Sequence, residues 1–286
     1  MSARDGRADG GANPLISVAE LRDRLDEVRV LDARWELGRD DGREQYLAGH
    51  IPGAVFVDVE NELSRHGEPA EGRHPLPADA DLATAARRWG IRGGVPVVVY
   101  DDHRMLAASR AWWALRRAGL ADVRVLDGGW PAWQAAGGAV QTDDVVPEPG
   151  DIALGSPGER GTIDTYGAAA WPDKGVLLDV RAAERYRGET EPFDPVAGHI
   201  PGARNLPIGR LLTDDGRFRP ATEIAAAFAD VGAGEGVAVA AYCGSGITAA
   251  QLALAGALVG RDVTVYPGSW SAWSNTPGRP VASGDA

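Results

Sequence analysis

The chain has 286 residues, 44% of them hydrophobic and 24% charged, with a net charge of −12, one cysteine and no long apolar run. That balance describes a globular protein of about two domains, without a transmembrane helix, and argues against nucleic acid or anionic membranes as partners. A lone thiol excludes an internal disulfide, a dithiol redox pair and a cysteine zinc cluster, and fits a reducing, cytoplasmic setting.

In chain order, residues 1–13 are polar and glycine-rich, with no hydrophobic signal core, and read as a disordered leader. Ser17-Val18-Ala19-Glu20 is a capping box, followed by an apolar helical face of Val18, Leu21 and Leu25. The strand Val30-Leu31-Asp32-Ala33-Arg34 precedes the segment Leu47-Ala48-Gly49-His50-Ile51-Pro52-Gly53-Ala54. A strand over 95–100, a helix over 105–120 stopped at Gly119, and a strand over 123–126 complete this half. Residues 141–161, rich in proline, glycine and acids, read as a linker.

The second half repeats the first. Leu177-Leu178-Asp179-Val180-Arg181, then Val196-Ala197-Gly198-His199-Ile200-Pro201-Gly202-Ala203, return in the same order. Helices over 223–231 and 247–259 flank a strand over 237–242, and a strand over 263–266 follows. Val265-Tyr266-Pro267-Gly268-Ser269-Trp270 then matches Val125-Leu126-Asp127-Gly128-Gly129-Trp130. The chain is therefore a duplication: two tandem α/β domains over 14–140 and 162–282, each an open, mostly parallel sheet with helices on both faces.

Ligands of such sheets bind beyond the carboxyl ends of the strands, which is where the cysteine falls. The run Val237–Tyr242 delivers Cys243, Gly244 and Gly246 let the backbone curl around it, and a helix begins at Ile247. Backbone N–H groups of Gly244, Ser245, Gly246, Ile247 and Thr248 can then stabilise an anionic sulfur without any cation. The equivalent position in the first copy is Asp101, which cannot carry sulfur.

These features together, two G-H-I-P-G-A segments and a terminal Cys-Gly-Ser-Gly-Ile-Thr loop, resemble the tandem rhodanese-like sulfurtransferases, in particular the 3-mercaptopyruvate branch. The thiosulfate branch typically carries cationic residues after the cysteine. The resemblance implies a catalytic C-terminal domain, a catalytically silent N-terminal domain that closes the cleft, and no metal or organic cofactor. It implies sulfur transfer from a small anionic donor, 3-mercaptopyruvate or thiosulfate, to cyanide, a thiol or a thioredoxin-type acceptor through a Cys243 persulfide. Ser245 matches the family's proton-relay serine, Asp58 the acid placed beside it, and His74 a nearby histidine. Arg185 aligns with the arginine that binds the donor carboxylate, and Arg187 is positioned to share that role. A second arginine, expected after Glu191-Pro192, is replaced by Phe193.

Other readings fit less well. A phosphatase loop needs arginine six residues after the cysteine, where Ala249 stands, and the residues around Ser245 lack the Gly-x-Ser-x-Gly elbow of a hydrolase. The alternative from another class is a noncatalytic rhodanese-fold module that carries or senses a persulfide for a protein partner.

Overall fold

A computed structural model describes residues 13–158 and 161–285. The leader expected at 1–13 falls, apart from Asn13, outside the described residues. The first unit runs β1 (Leu15–Ile16), α1 (Val18–Asp23), β2 (Arg29–Asp32), α2 (Gly42–Ala48), β3 (Val55–Phe56), α3 (Asp79–Arg88), β4 (Val97–Tyr100), α4 (Leu106–Arg117), β5 (Val123–Leu126) and α5 (Gly129–Ala135). Its strands pair in the order β1-β5-β4-β2-β3, all parallel. The second unit runs α6 (Thr165–Ala170), β6 (Val176–Asp179), α7 (Ala183–Tyr186), β7 (Arg204–Asn205), α8 (Ala221–Asp230), β8 (Val239–Tyr242), α9 (Ile247–Leu258), β9 (Val263–Val265) and α10 (Ser269–Asn275). Here the order is β7-β6-β8-β9, again parallel, and a single bridge from Thr162 to Val265 stands where β1 stood.

The central strands β4 and β8 are buried along their whole length, as both faces of a parallel sheet must be. Both begin two residues later than their apolar runs predict. Val95 N–H bonds back to Arg92 O and Val237 N–H to Gly234 O, so those residues close turns instead of joining the ladder. The linker stretch lies along the first unit: Gln141 pairs with His50, Gly150 N–H donates to Arg87 O and Gly155 N–H to Ala118 O.

The same braces recur in both units. Asp32 and Asp179 each accept a forked bond from the arginine two residues on, and Arg34 and Arg181 also donate to the carbonyls of Gly49 and Gly198. His50 stacks on Tyr46 and His199 on Tyr186, with ring centroids 4.0 and 3.8 Å apart.

Between the units, α4 packs on α9. Helix α9 carries small and apolar residues around most of its circumference, because its own sheet covers one side and the first unit the other. The carboxyl ends of β8 and its flanking loops thus open onto the first unit. No helix among the described residues is long and apolar enough to cross a membrane.

Candidate active site

Cys243 follows β8 directly and is 2% exposed. Its Sγ receives the Gly246 N–H at 3.0 Å, at the first turn of α9, where unpaired amides and the helix dipole favour negative charge. Gly246 has φ +89°, and a Cβ there would lie 2.3 Å from Pro267 O, so only glycine closes this curl. Cys243 N–H donates to Ser269 Oγ at 3.1 Å, and that hydroxyl lies 3.9 Å from Sγ. Ser269 holds φ +55°, a costly conformation for a residue with a side chain. Sequence reasoning passed over Ser269, although comparison of the copies carries a signal: its counterpart Gly129 has φ +58° as a glycine.

A cleft of about 270 Å³ opens over the thiol between the two units. The loop residues Cys243, Gly244, Ser245, Ile247 and Thr248 line its floor, with Arg185 and Phe193 on one side and Trp35, Arg73 and Leu106 of the first unit opposite.

Ser245 and His74 meet across the interface, Oγ to Nδ1 at 2.7 Å. Glu60 lies 3.3 Å from His74 Nε2 and accepts the Trp35 indole N–H at 2.7 Å. The hydrogen bond to His74 holds Glu60 below the usual carboxylate range, against partial burial, so its carboxylate is ionised at neutral pH. An ionised acceptor at Nε2 fixes the proton there and leaves Nδ1 to accept from the Ser245 hydroxyl. The arrangement is a hydroxyl, an imidazole and a carboxylate in series, the hydroxyl two residues from the thiol.

Two sequence-predicted residues stand elsewhere. Asp58 does not touch Ser245 or His74. Its Oδ1 accepts the N–H groups of Glu60 and Asn61, and its Oδ2 the Asn61 amide, so it closes the turn that aims Glu60 at His74. The acid beside His74 is Glu60. Arg187 follows α7 and pairs with Glu189 at 2.6 Å on the surface, away from the cleft. Two residues of helical rotation carry it about 200° from Arg185. Arg185 does line the cleft, held by Glu191 at 2.6 Å.

In the first unit, the Asp101 carboxylate occupies the corresponding curl. It accepts N–H groups from His103, Met105 and Ala108, each at 2.9 Å.

The rhodanese-like domain family matches residues 17–136 and again 165–276. The chain is 49% identical over 280 residues to SseB of Mycobacterium tuberculosis, provisionally named a thiosulfate sulfurtransferase, covering 95% of this chain and 98% of that one. It is 44% identical over 282 residues to a Pseudomonas aeruginosa protein provisionally named a 3-mercaptopyruvate sulfurtransferase, covering 95% and 98%. Among solved structures, the 3-mercaptopyruvate sulfurtransferase SseA of Escherichia coli superposes with a TM-score of 0.81 at 31% identity, over 91% of this chain and 99% of that one.

Proposed function

The chain belongs to the rhodanese-like domain family and is a sulfurtransferase, and we propose that it moves sulfur from 3-mercaptopyruvate, with thiosulfate as second donor, to cyanide or a thiol through Cys243. The relatives' names divide between the two donors, so the choice rests on the site. The relay Ser245–His74–Glu60 carries the reading.

In the proposed first step, the Cys243 thiolate attacks the sulfur of 3-mercaptopyruvate and an S–S bond forms. The donor's C–S bond breaks, and its electron pair passes to carbon as the enolate of pyruvate. That carbanion equivalent needs a proton, which Ser245 delivers from within the cleft and regains through His74. Thiosulfate leaves as sulfite, which requires no proton on carbon, so the relay has a task only with the keto-acid donor. The persulfide anion is held by the Gly246 N–H and the start of α9. In the second step, cyanide or a thiol attacks the outer sulfur, the S–S bond breaks, and the Cys243 thiolate returns. Arg185 would hold the donor's carboxylate through its planar fork.

The test is steady-state transfer to cyanide, with each donor in turn, for the wild type and Cys243→Ser. The expected result is a higher kcat/KM for 3-mercaptopyruvate and no transfer by the variant. A higher kcat/KM for thiosulfate would reverse the donor assignment. Transfer by Cys243→Ser would remove the persulfide route.

A further inference from the structure

Arg73 belongs to the first unit, yet its guanidinium reaches the floor of the cleft. A Cβ built on Gly244, the residue after the thiol, would lie 3.2 Å from Arg73 Nη2 and 3.5 and 3.6 Å from the two terminal nitrogens of Arg185. Two guanidinium groups from opposite units therefore converge on the space above one glycine. The absence of a side chain at Gly244 keeps that space open.

The surrounding groups hold both arginines in place. Asp194, whose side chain is 1% exposed, pairs with Arg73 Nη1 through Oδ1 and lies 3.6 Å from Arg185 Nη2 through Oδ2. The Phe193 ring faces both cations, with guanidinium carbons 5.6 and 5.3 Å from its centroid. Arg73 is incompletely satisfied: its Nε is buried and makes no hydrogen bond among the described residues. Asp194 Oδ2 is likewise buried without a hydrogen-bond donor. A buried guanidinium N–H without an acceptor is costly, and a ligand oxygen is the kind of group that would satisfy it.

We propose that Arg73 is a specificity-determining residue, which with Arg185 forms a two-arginine clamp on the donor's carboxylate, one arginine from each unit. The proposal rests on the reading above that the donor is a carboxylate-bearing thiol. On this geometry the carboxylate sits over Gly244, beside Cys243, and bridges the two halves of the molecule. The first unit thereby takes part in choosing the donor as well as in covering it. Because Asp194 pairs at Nη1 and the nitrogen nearest Gly244 is Nη2, binding through Nη2 requires no rupture of the Arg73–Asp194 pair.

The experiment compares Arg73→Met and Arg73→Lys with the wild type, using 3-mercaptopyruvate and its uncharged analogue mercaptoacetone. The clamp predicts that Arg73→Met raises KM for 3-mercaptopyruvate about tenfold or more, with kcat little changed, and leaves KM for mercaptoacetone alone. Arg73→Lys keeps the charge but loses the fork, and falls between. An unchanged KM for 3-mercaptopyruvate, or an equal rise for both donors, would overturn the clamp and leave Arg73 as an interdomain tie.

A second readout needs no turnover. Pyruvate, the carboxylate product, should protect Cys243 of the wild type from alkylation by iodoacetamide and fail to protect Arg73→Met at the same concentration. Equal protection of both would also overturn the proposal, even if the donor proved to be thiosulfate.

Discussion

On the proposed mechanism, Ser245, His74 and Glu60, which the structure places in series, divide one task between three chemistries: the hydroxyl meets the donor, the imidazole exchanges the proton, and the carboxylate fixes which nitrogen carries it. Ser245→Ala and His74→Gln should each lower kcat with 3-mercaptopyruvate by about 10²–10³-fold, the usual worth of general acid–base help, while thiosulfate turnover changes little. Parallel losses with both donors would show that the relay serves the thiol instead of the enolate. Glu60 is depressed by its bond to His74, so its support is present above the unfolded value of 4.5 and is lost as pH falls through the lower folded value. The sequence carried Cys243 and Ser245 plainly, since the loop that makes them chemical is contiguous. It pointed at Asp58 in place of Glu60 because the choice is made by a turn, whose direction depends on which carboxylate caps the local amides. Arg73 was hidden for a different reason: its partner Asp194 lies on the other unit.

The curls after β4 and β8 are the same element with different occupants. In one, a thiol sulfur receives a single amide at 3.0 Å; in the other, the Asp101 carboxylate receives three. Burial pushes Asp101 up to about 6, the three amide bonds opposing. A carboxyl raised in the folded state binds its proton more tightly there than in the unfolded chain. Its contribution to stability is therefore largest at acid pH and declines as pH rises from about 4 to about 6, by up to roughly 3 kcal/mol. Asp101→Ser should remove that decline. Urea midpoints of the two proteins, compared between pH 4 and 6.5, check it; parallel curves would mean that Asp101 does not titrate in this range. At this scale the sequence was easily read where strands are apolar runs and helices carry a face, as in β4, β8 and α4. Short α7 was harder, because its four residues give no periodicity to separate inward Arg185 from outward Arg187.

For the whole molecule, the decisive contact is Arg110 in α4. It is fully buried and donates to the carbonyls of Leu63 and His74 in its own unit and of Gly246 in the other. Burial pushes its guanidinium down to about 10. Arg110→Met would strand three buried carbonyls and should cost about 2–4 kcal/mol. Because those carbonyls belong to both units, unfolding in urea should change from one transition to two, followed by tryptophan fluorescence. A single, unshifted transition would show that the remaining contacts between the halves hold them together without Arg110. The duplication announced two similar units, but the face on which they meet was not legible, since α4 and α9 owe their burial to each other.

The thiol at 243 has no sibling anywhere in the chain. Many sulfur-handling proteins discharge a loaded cysteine onto a resolving one, releasing the cargo and resetting themselves. That exit is closed here. On the proposed persulfide route, a charged enzyme would wait under its cover until an outside nucleophile enters, so its loaded form would behave as a reservoir whose emptying is timed by acceptor supply. Protein prepared with donor and stripped of acceptor should keep one extra sulfur per chain.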